Sequence, residues 1–203
     1  MKNLTSEGCC ITSRLERFLL LVFLSLTSAC AFNAQSINIS PVMSLSSSDL
    51  GKGKDVLLSV VDERPKQIIG HRGTAYGAAA EITSSQDVAV VIREKVSTGL
   101  SSKGFHVVTG SGQATTSMKV EIRLIEYTTS AGFWTGGIHT RAAFKGICKN
   151  GRQEYENIYR QENEERVVVV PTAETNEQLI SQVVGQALEK IFRDEQILGC
   201  LAG

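Results

Sequence analysis

A thiol can be acylated, oxidised or metal-bound, so the five cysteines come first. Cys30 closes the run Phe18-Leu19-Leu20-Leu21-Val22-Phe23-Leu24-Ser25-Leu26-Thr27-Ser28-Ala29. Lys2, Arg14 and Arg17 supply a basic leader, opposed only by Glu16. Phe18 to Leu26 is an apolar core, and Ser28-Ala29 is a small-residue cleavage site. That core is too short to cross a hydrocarbon layer of about 30 Å, which takes roughly 20 apolar residues. Leu26-Thr27-Ser28-Ala29-Cys30 resembles a lipobox, matching at Ser28, Ala29 and Cys30 and departing at Thr27, where an aliphatic residue is usual. Residues 1–29 are therefore expected to be a lipoprotein signal peptide. Cys30 is the expected first mature residue, bearing acyl chains such as palmitate. Each buried methylene contributes about 0.8 kcal/mol, so two or more chains hold a protein on a bilayer without a spanning helix. A plain signal peptide cut after Ala29, or a buried apolar helix, are the other readings. Residue 31 is Ala rather than Asp. By similarity to sorted lipoproteins, that favours the periplasmic face of the outer membrane.

Cys9 and Cys10 leave with the signal, so Cys148 and Cys200 remain. In an oxidising periplasm they either form a disulfide or stay as two separate buried thiols. Closing that loop would stabilise the fold by about 4 kcal/mol on the chain-entropy account.

Asp62, Arg64, His71 and Arg72 crowd together after an apolar run. Ligands often sit beyond the carboxyl ends of strands, and two arginines suit an anionic ligand or a partner peptide. The local alternative pairs Asp62 with an arginine and leaves Pro65 and Gly70 to shape a loop. Phe133-Trp134, between glycines, suits a protein hot spot or a bilayer interface, or else folds back into the core. His71, His106 and His139 lack Cys or carboxylate neighbours at metal spacing. Gly-x-Ser-x-Gly, a P-loop and a dinucleotide fingerprint are missing, and Gly110-Ser111-Gly112 lacks a strand-to-helix context. Glu164-Glu165 reads as a solvated pair. No enzyme, metal or cofactor is expected. Lys+Arg and Asp+Glu both number 21, so no basic excess argues for nucleic acid.

These residues need elements to hold them. Residues 30–54, rich in Ser, Gly, Asn and Lys, read as a lipidated tether in which Ile37, Ile39 and Val42 add at most a short edge strand, its length limited by Pro41. Val56 to Val61 is a near-continuous apolar run, which predicts a central strand buried on both faces. Residues 62–73 read as a loop. Ser84 to Lys103 predicts a helix with an apolar stripe at Val88, Val91, Ile92, Val96 and Leu100, capped near Thr83 and Ser84 and stopped by Gly104. Phe105 to Val108 follows as a strand.

Ser117 to Tyr127 alternates, with Val120, Ile122 and Leu124 facing one way and Lys119, Glu121 and Arg123 the other. Ile138 to Lys149 returns, Asn150-Gly151 turns, and Gln153 to Val170 makes a third strand with a bend expected near Asn163. A broad apolar face predicts a last helix over about Thr175 to Arg193. The expected fold class is α+β: one periplasmic domain over 55–203, with a mainly antiparallel sheet and two amphipathic helices packed on one face.

The lipobox, an Ile-Ser-Pro segment, Val60-Val61-Asp62-Glu63-Arg64-Pro65 and Ile69-Gly70-His71-Arg72 together resemble the YajG-like bacterial lipoproteins. The helix ending at Gly104-Phe105, the strand Met118 to Tyr127 and the C-terminal helix fit the same pattern. The resemblance implies an envelope lipoprotein and no enzyme. Its long leader, the Cys148 and Cys200 pair and the Phe133-Trp134 turn are departures from that family. Two functions follow as expectations. One is a non-catalytic domain that binds an envelope protein or cell-wall material. The other is a small-ligand site near Asp62 to Arg72.

Overall fold

The strand alternation of Thr116 to Ala131 builds the spine of the molecule. The computed structural model describes residues 33–72, 80–108, 110, 114–131, 136–168 and 171–203. Cys30, Phe133 and Trp134 lie outside the described residues, as does the whole signal segment. From Ala34 to Gly203 the chain forms one unit. Its strands are β1 (Gln35–Ile37), β2 (Asp55–Asp62), β3 (Gly70–Arg72), β4 (Ala80–Ser84), β5 (His106–Val108), β6 (Thr116–Ala131), β7 (Gly136–Asn150) and β8 (Gln153–Val167). The helices are α1 (Val88–Ser102), α2 (Ala173–Ile191) and α3 (Glu195–Ala202).

β6, β7 and β8 form the expected antiparallel meander. Gly151, at φ 59°, makes the tight turn between the last two. The ladder of β8 runs unbroken past Asn163, so the expected bend is absent. On its other edge β6 carries two strands in succession. β2 pairs parallel with it from Ser117 to Ile122, and β3 meets it at Tyr127. β5 lies outside β2, while β4 and then β1 lie beyond β3. Four of these seven pairings are parallel. The sheet is therefore mixed rather than mainly antiparallel. The reason lies in the connections: β2 reaches β5 through α1, and such a crossover returns the chain in the same direction.

One face of the sheet carries the core. Val56, Leu58 and Val60 of β2, Met118, Val120 and Ile122 of β6 and Phe144 of β7 are buried there with Ile92 and Leu100 of α1 and Val184 and Leu188 of α2. β2 is interior to the sheet, but only this face of it is buried; Leu57 and Val61 on the other side are half-buried. A register shift between Ile122 and Leu124 reverses the alternation of β6. Ile125 and Tyr127 thus point into the core, and Leu124 joins the opposite face, contrary to the pattern read from sequence.

Asp87, not Thr83 or Ser84, caps α1, its carboxylate accepting from the Ala89 and Val90 N–H groups. Residues 80–84 are spent on β4, so the helix starts later than its pattern suggested. Gly104 at φ 82° ends it as expected. Thr172 caps α2. The third helix, α3, was not expected. Asp194 caps it, and a disulfide joins its Cys200 to Cys148 of β7.

Residues 35–54 do not hang free. Beyond β1 the backbone runs extended along α2: Asn38 N–H donates to Glu177 at 2.9 Å, Ser40 N–H to Ser181 Oγ at 2.9 Å and Ser44 N–H to Glu189 at 2.6 Å. Two extended residues span about 6.7 Å and four helical residues about 6 Å, so the two rows stay nearly in step. A Cβ on Gly185 would lie 2.2 Å from the Val42 carbonyl oxygen, so glycine lets this strap close onto the helix. The strap then crosses to α1, where Lys103 Nζ donates to Ser46 O at 2.6 Å and Ser48 N–H to Ser102 O at 2.9 Å.

Candidate functional site

Asp62 ends β2, and its carboxylate turns back onto Arg64. Arg64 Nε donates to Oδ1 at 2.8 Å, Nη2 to Oδ2 at 2.7 Å and the Arg64 backbone N–H to Oδ1 at 3.2 Å. The guanidinium holds the Asp62 carboxyl below its ordinary range, against the opposing effect of burial. The Arg64 side chain is only 4% exposed, and its remaining nitrogen, Nη1, makes no hydrogen bond among the described residues.

β3 begins at Gly70. A Cβ there would sit 2.0 Å from the Tyr127 carbonyl oxygen, so only glycine allows β3 to close on β6. Strand alternation then separates the next two residues. His71 is exposed on the open face, whereas Arg72 is buried on the core side. Arg72 Nη2 donates to the Pro171 carbonyl at 3.2 Å, just ahead of α2. Nearby Tyr127 is buried and its hydroxyl is pushed up to about 12 by that burial, with the Arg72 charge opposing the rise. The four residues expected to form one cluster are thus split. Asp62 and Arg64 pair locally, His71 faces outward and Arg72 faces inward.

The open face nevertheless has a hollow here. β2 leaves β6 at Ile122 and β3 joins it only at Tyr127, so among the described residues β6 has no strand partner on that edge over 123–126. The loop 63–69 arches past the gap, tied at its ends by Glu63 N–H to Ile122 O at 3.0 Å and Tyr127 N–H to Ile69 O at 2.8 Å. The result is a cavity of about 590 Å³ lined by Arg64, Pro65, Lys66, Ile68, His71, Leu124 and Glu126 among others. The Arg123 bulge, which sequence reasoning missed, is what turns Leu124 toward it. Glu121, just before the bulge, lies between Lys119 and Arg123, and its carboxyl is lowered first by the Lys119 hydrogen bond. Glu126 pairs with Arg141 of β7. A second hollow of about 390 Å³ lies further along the same face, between Thr128, His139, Arg141, Glu162 and Glu164.

His106 pairs with exposed Asp55 at 2.6 Å, far from His71. Among the described residues no three His, Cys, Asp or Glu side chains converge as metal ligands, and no helix is long and apolar enough to cross a membrane. The cavity offers cations, a short apolar wall and an open sheet edge, which are means of recognition.

Residues 41–202 match the family model Lipoprotein_16, described as uncharacterized lipoprotein. The chain belongs to that lipoprotein family. Its fold is similar to that of a Xanthomonas campestris protein of family DUF330, XCC0632. That likeness has a TM-score of 0.51 at 10% identity and covers 83% of this chain and 95% of that one. A minor lipoprotein from Acinetobacter baumannii is also similar, with a TM-score of 0.43 at 9% identity over 72% of this chain and 93% of that one. No curated protein matches this lipoprotein in sequence.

Proposed function

We propose that this lipoprotein is acylated on Cys30, sits on the periplasmic face of the outer membrane, as Ala rather than Asp at position 31 favours, and binds an envelope protein through the hollow beside β6 without catalysing a reaction. The observation that carries the reading is the bare β6 edge over 123–126 opening into a cavity of about 590 Å³. An extended segment of a partner can bond to such an edge while its side chains contact Ile68 and Leu124. Lys66 and His71 at the rim favour an acidic partner segment. Cell-wall material, or a small anion taken up beside Arg64, is the alternative occupant. It is favoured by the idle Arg64 Nη1 donor alone.

A photo-crosslinking residue at Lys66, compared with one at exposed Glu94 of α1, tests this in intact cells. The reading expects one envelope protein trapped from Lys66 and not from Glu94, and lost when His71→Glu is added. The same adducts from both positions would overturn it. Cys30→Ser should abolish palmitate labelling, and persistent labelling would overturn the anchor.

A further inference from the structure

We infer that the protein forms a two-fold dimer in which β8 pairs with β8 of a second copy, antiparallel and centred on Gln161, so that one sheet runs through both. β8 is 15 residues long and stands at the edge of the sheet. Among the described residues it pairs with β7 alone, and does so along its whole length. An edge strand of that length is a template for another chain. This edge is separate from the hollow beside β6, so the dimer stands or falls independently of the proposed partner site.

The backbone groups that face outward can be assigned. Ile158 N–H donates to Asn157 Oδ1 at 2.8 Å, so it is turned away from β7. The Arg160 carbonyl accepts from Lys190 Nζ, and the Glu162 carbonyl from Gln161 Nε2 at 3.0 Å. The ladder is regular from Gln153 to Val167, so the even-numbered residues turn their N–H and C=O groups to the open edge. Side chains occupy those groups in the single chain, and a second strand replaces these contacts with ladder bonds. The even-numbered side chains all lie on the exposed face of the sheet.

Charge selects the register. Charges on an edge strand ordinarily keep other strands away. Along the exposed face of β8 the order is Glu156, Ile158, Arg160, Glu162, Glu164 and Arg166. With Gln161 opposite Gln161, Arg160 faces the partner's Glu162 and Glu156 faces the partner's Arg166. The two-fold repeats both pairs, and no like charges stand opposite each other. Centring on Arg160 would oppose two arginines, and centring on Glu162 two glutamates. No other register gives both arginines a glutamate. Among the described residues neither Arg160 nor Arg166 has an ion pair within its own chain. Ile158, 40% exposed, falls diagonal to the partner's Arg166, whose alkyl stem covers apolar surface.

Thiol crosslinking of the full-length protein in intact cells tests the register. Gln161 sits on the two-fold in a non-hydrogen-bonded pair, where Cα atoms lie about 4.5 Å apart, within disulfide reach. Gln161→Cys, oxidised with copper phenanthroline, should give a dimer containing a peptide linked through the introduced thiols at 161. Ile158→Cys should not link to itself, because its two copies lie about 20 Å apart in this register. No link at 161, or equal yields at 161 and 158, overturns the dimer. Arg160→Glu and Glu162→Arg are then added to Gln161→Cys, singly and together. Each alone sets like charges opposite and should cut the yield at least about fivefold, and the two together should restore it. A double variant that links no better than either single one overturns the register.

Discussion

Asp194 does the most with one side chain. Its Oδ1 caps α3 through the Gln196 N–H at 2.9 Å and the Ile197 N–H at 3.4 Å. Its Oδ2 accepts from Tyr159 at 2.7 Å, Tyr155 at 3.0 Å and Asn157 at 3.1 Å, all on β8. Burial pushes this carboxyl up, but the donors outweigh it and hold it below its ordinary range. Burial, then the bond to Asp194, raises both tyrosines. A carboxyl lowered by folding binds its proton more weakly in the native state. Its stabilisation is fully present above the unfolded value and lost as pH falls through the folded one. Asn caps a helix about as well as Asp. Asp194→Asn should therefore keep α3 but lose the charge-assisted bonds, costing about 2 kcal/mol near neutral pH. Urea unfolding of both proteins at about pH 6 and about pH 3 tests this, since the gap between them should narrow at the lower pH. A gap that stays constant would show that the charge contributes nothing.

At the scale of elements, the strap and α2 hold each other through three backbone donors and one close approach at Gly185. Gly185→Ala places a methyl where the Val42 carbonyl lies, so the strap must lift or the helix must shift, at about 2 kcal/mol. Amide exchange should then speed up at Ser40 and Ser44 more than in β7; uniform acceleration would mean a global effect. The strap also marks where sequence reasoning stopped. Its Ser-rich composition looks like a linker, and the side chains that accept its N–H groups lie far along the chain, on α2. The meander, α1 and α2 are legible because long periods of two or 3.6 repeat many times. β1, β3 and β4 span three to five residues and show no period to read. Of the candidate site, the Asp62 and Arg64 pair is visible in their spacing. The cavity is not, because it comes from a bulge in β6 and from Gly70 closing β3 on a strand more than fifty residues away.

For the molecule as a whole, the question is what holds the last helix and the sheet as one body. α3 is eight residues long, too short to persist on propensity alone. It is fixed at its start by Asp194 and near its end by Lys54 Nζ donating to Ala202 O at 2.8 Å and Asn150 Nδ2 to Cys200 O at 2.9 Å. Between those points the Cys148–Cys200 bond crosses from β7, with Cys148 fully buried. The two cysteines are 52 residues apart, and the closed loop contains β8 and α2. Constraining a loop of that length stabilises the native state by about 4 kcal/mol on the chain-entropy account. Buried Ile197 and Leu201 on α3 still favour its docking when the bond is cut, so the domain should remain folded. The double variant Cys148→Ser, Cys200→Ser should unfold roughly 10 °C lower than the parent, measured by circular dichroism. A reductant should lower the parent by a similar amount and leave the double variant unchanged. Because the constraint acts mainly on the unfolded chain, refolding should slow while the folded spectrum stays the same. If reduction leaves the midpoint where it was, the bond is not what ties α3 to the sheet, and the Asp194 cluster and the apolar contacts of the helix hold it alone.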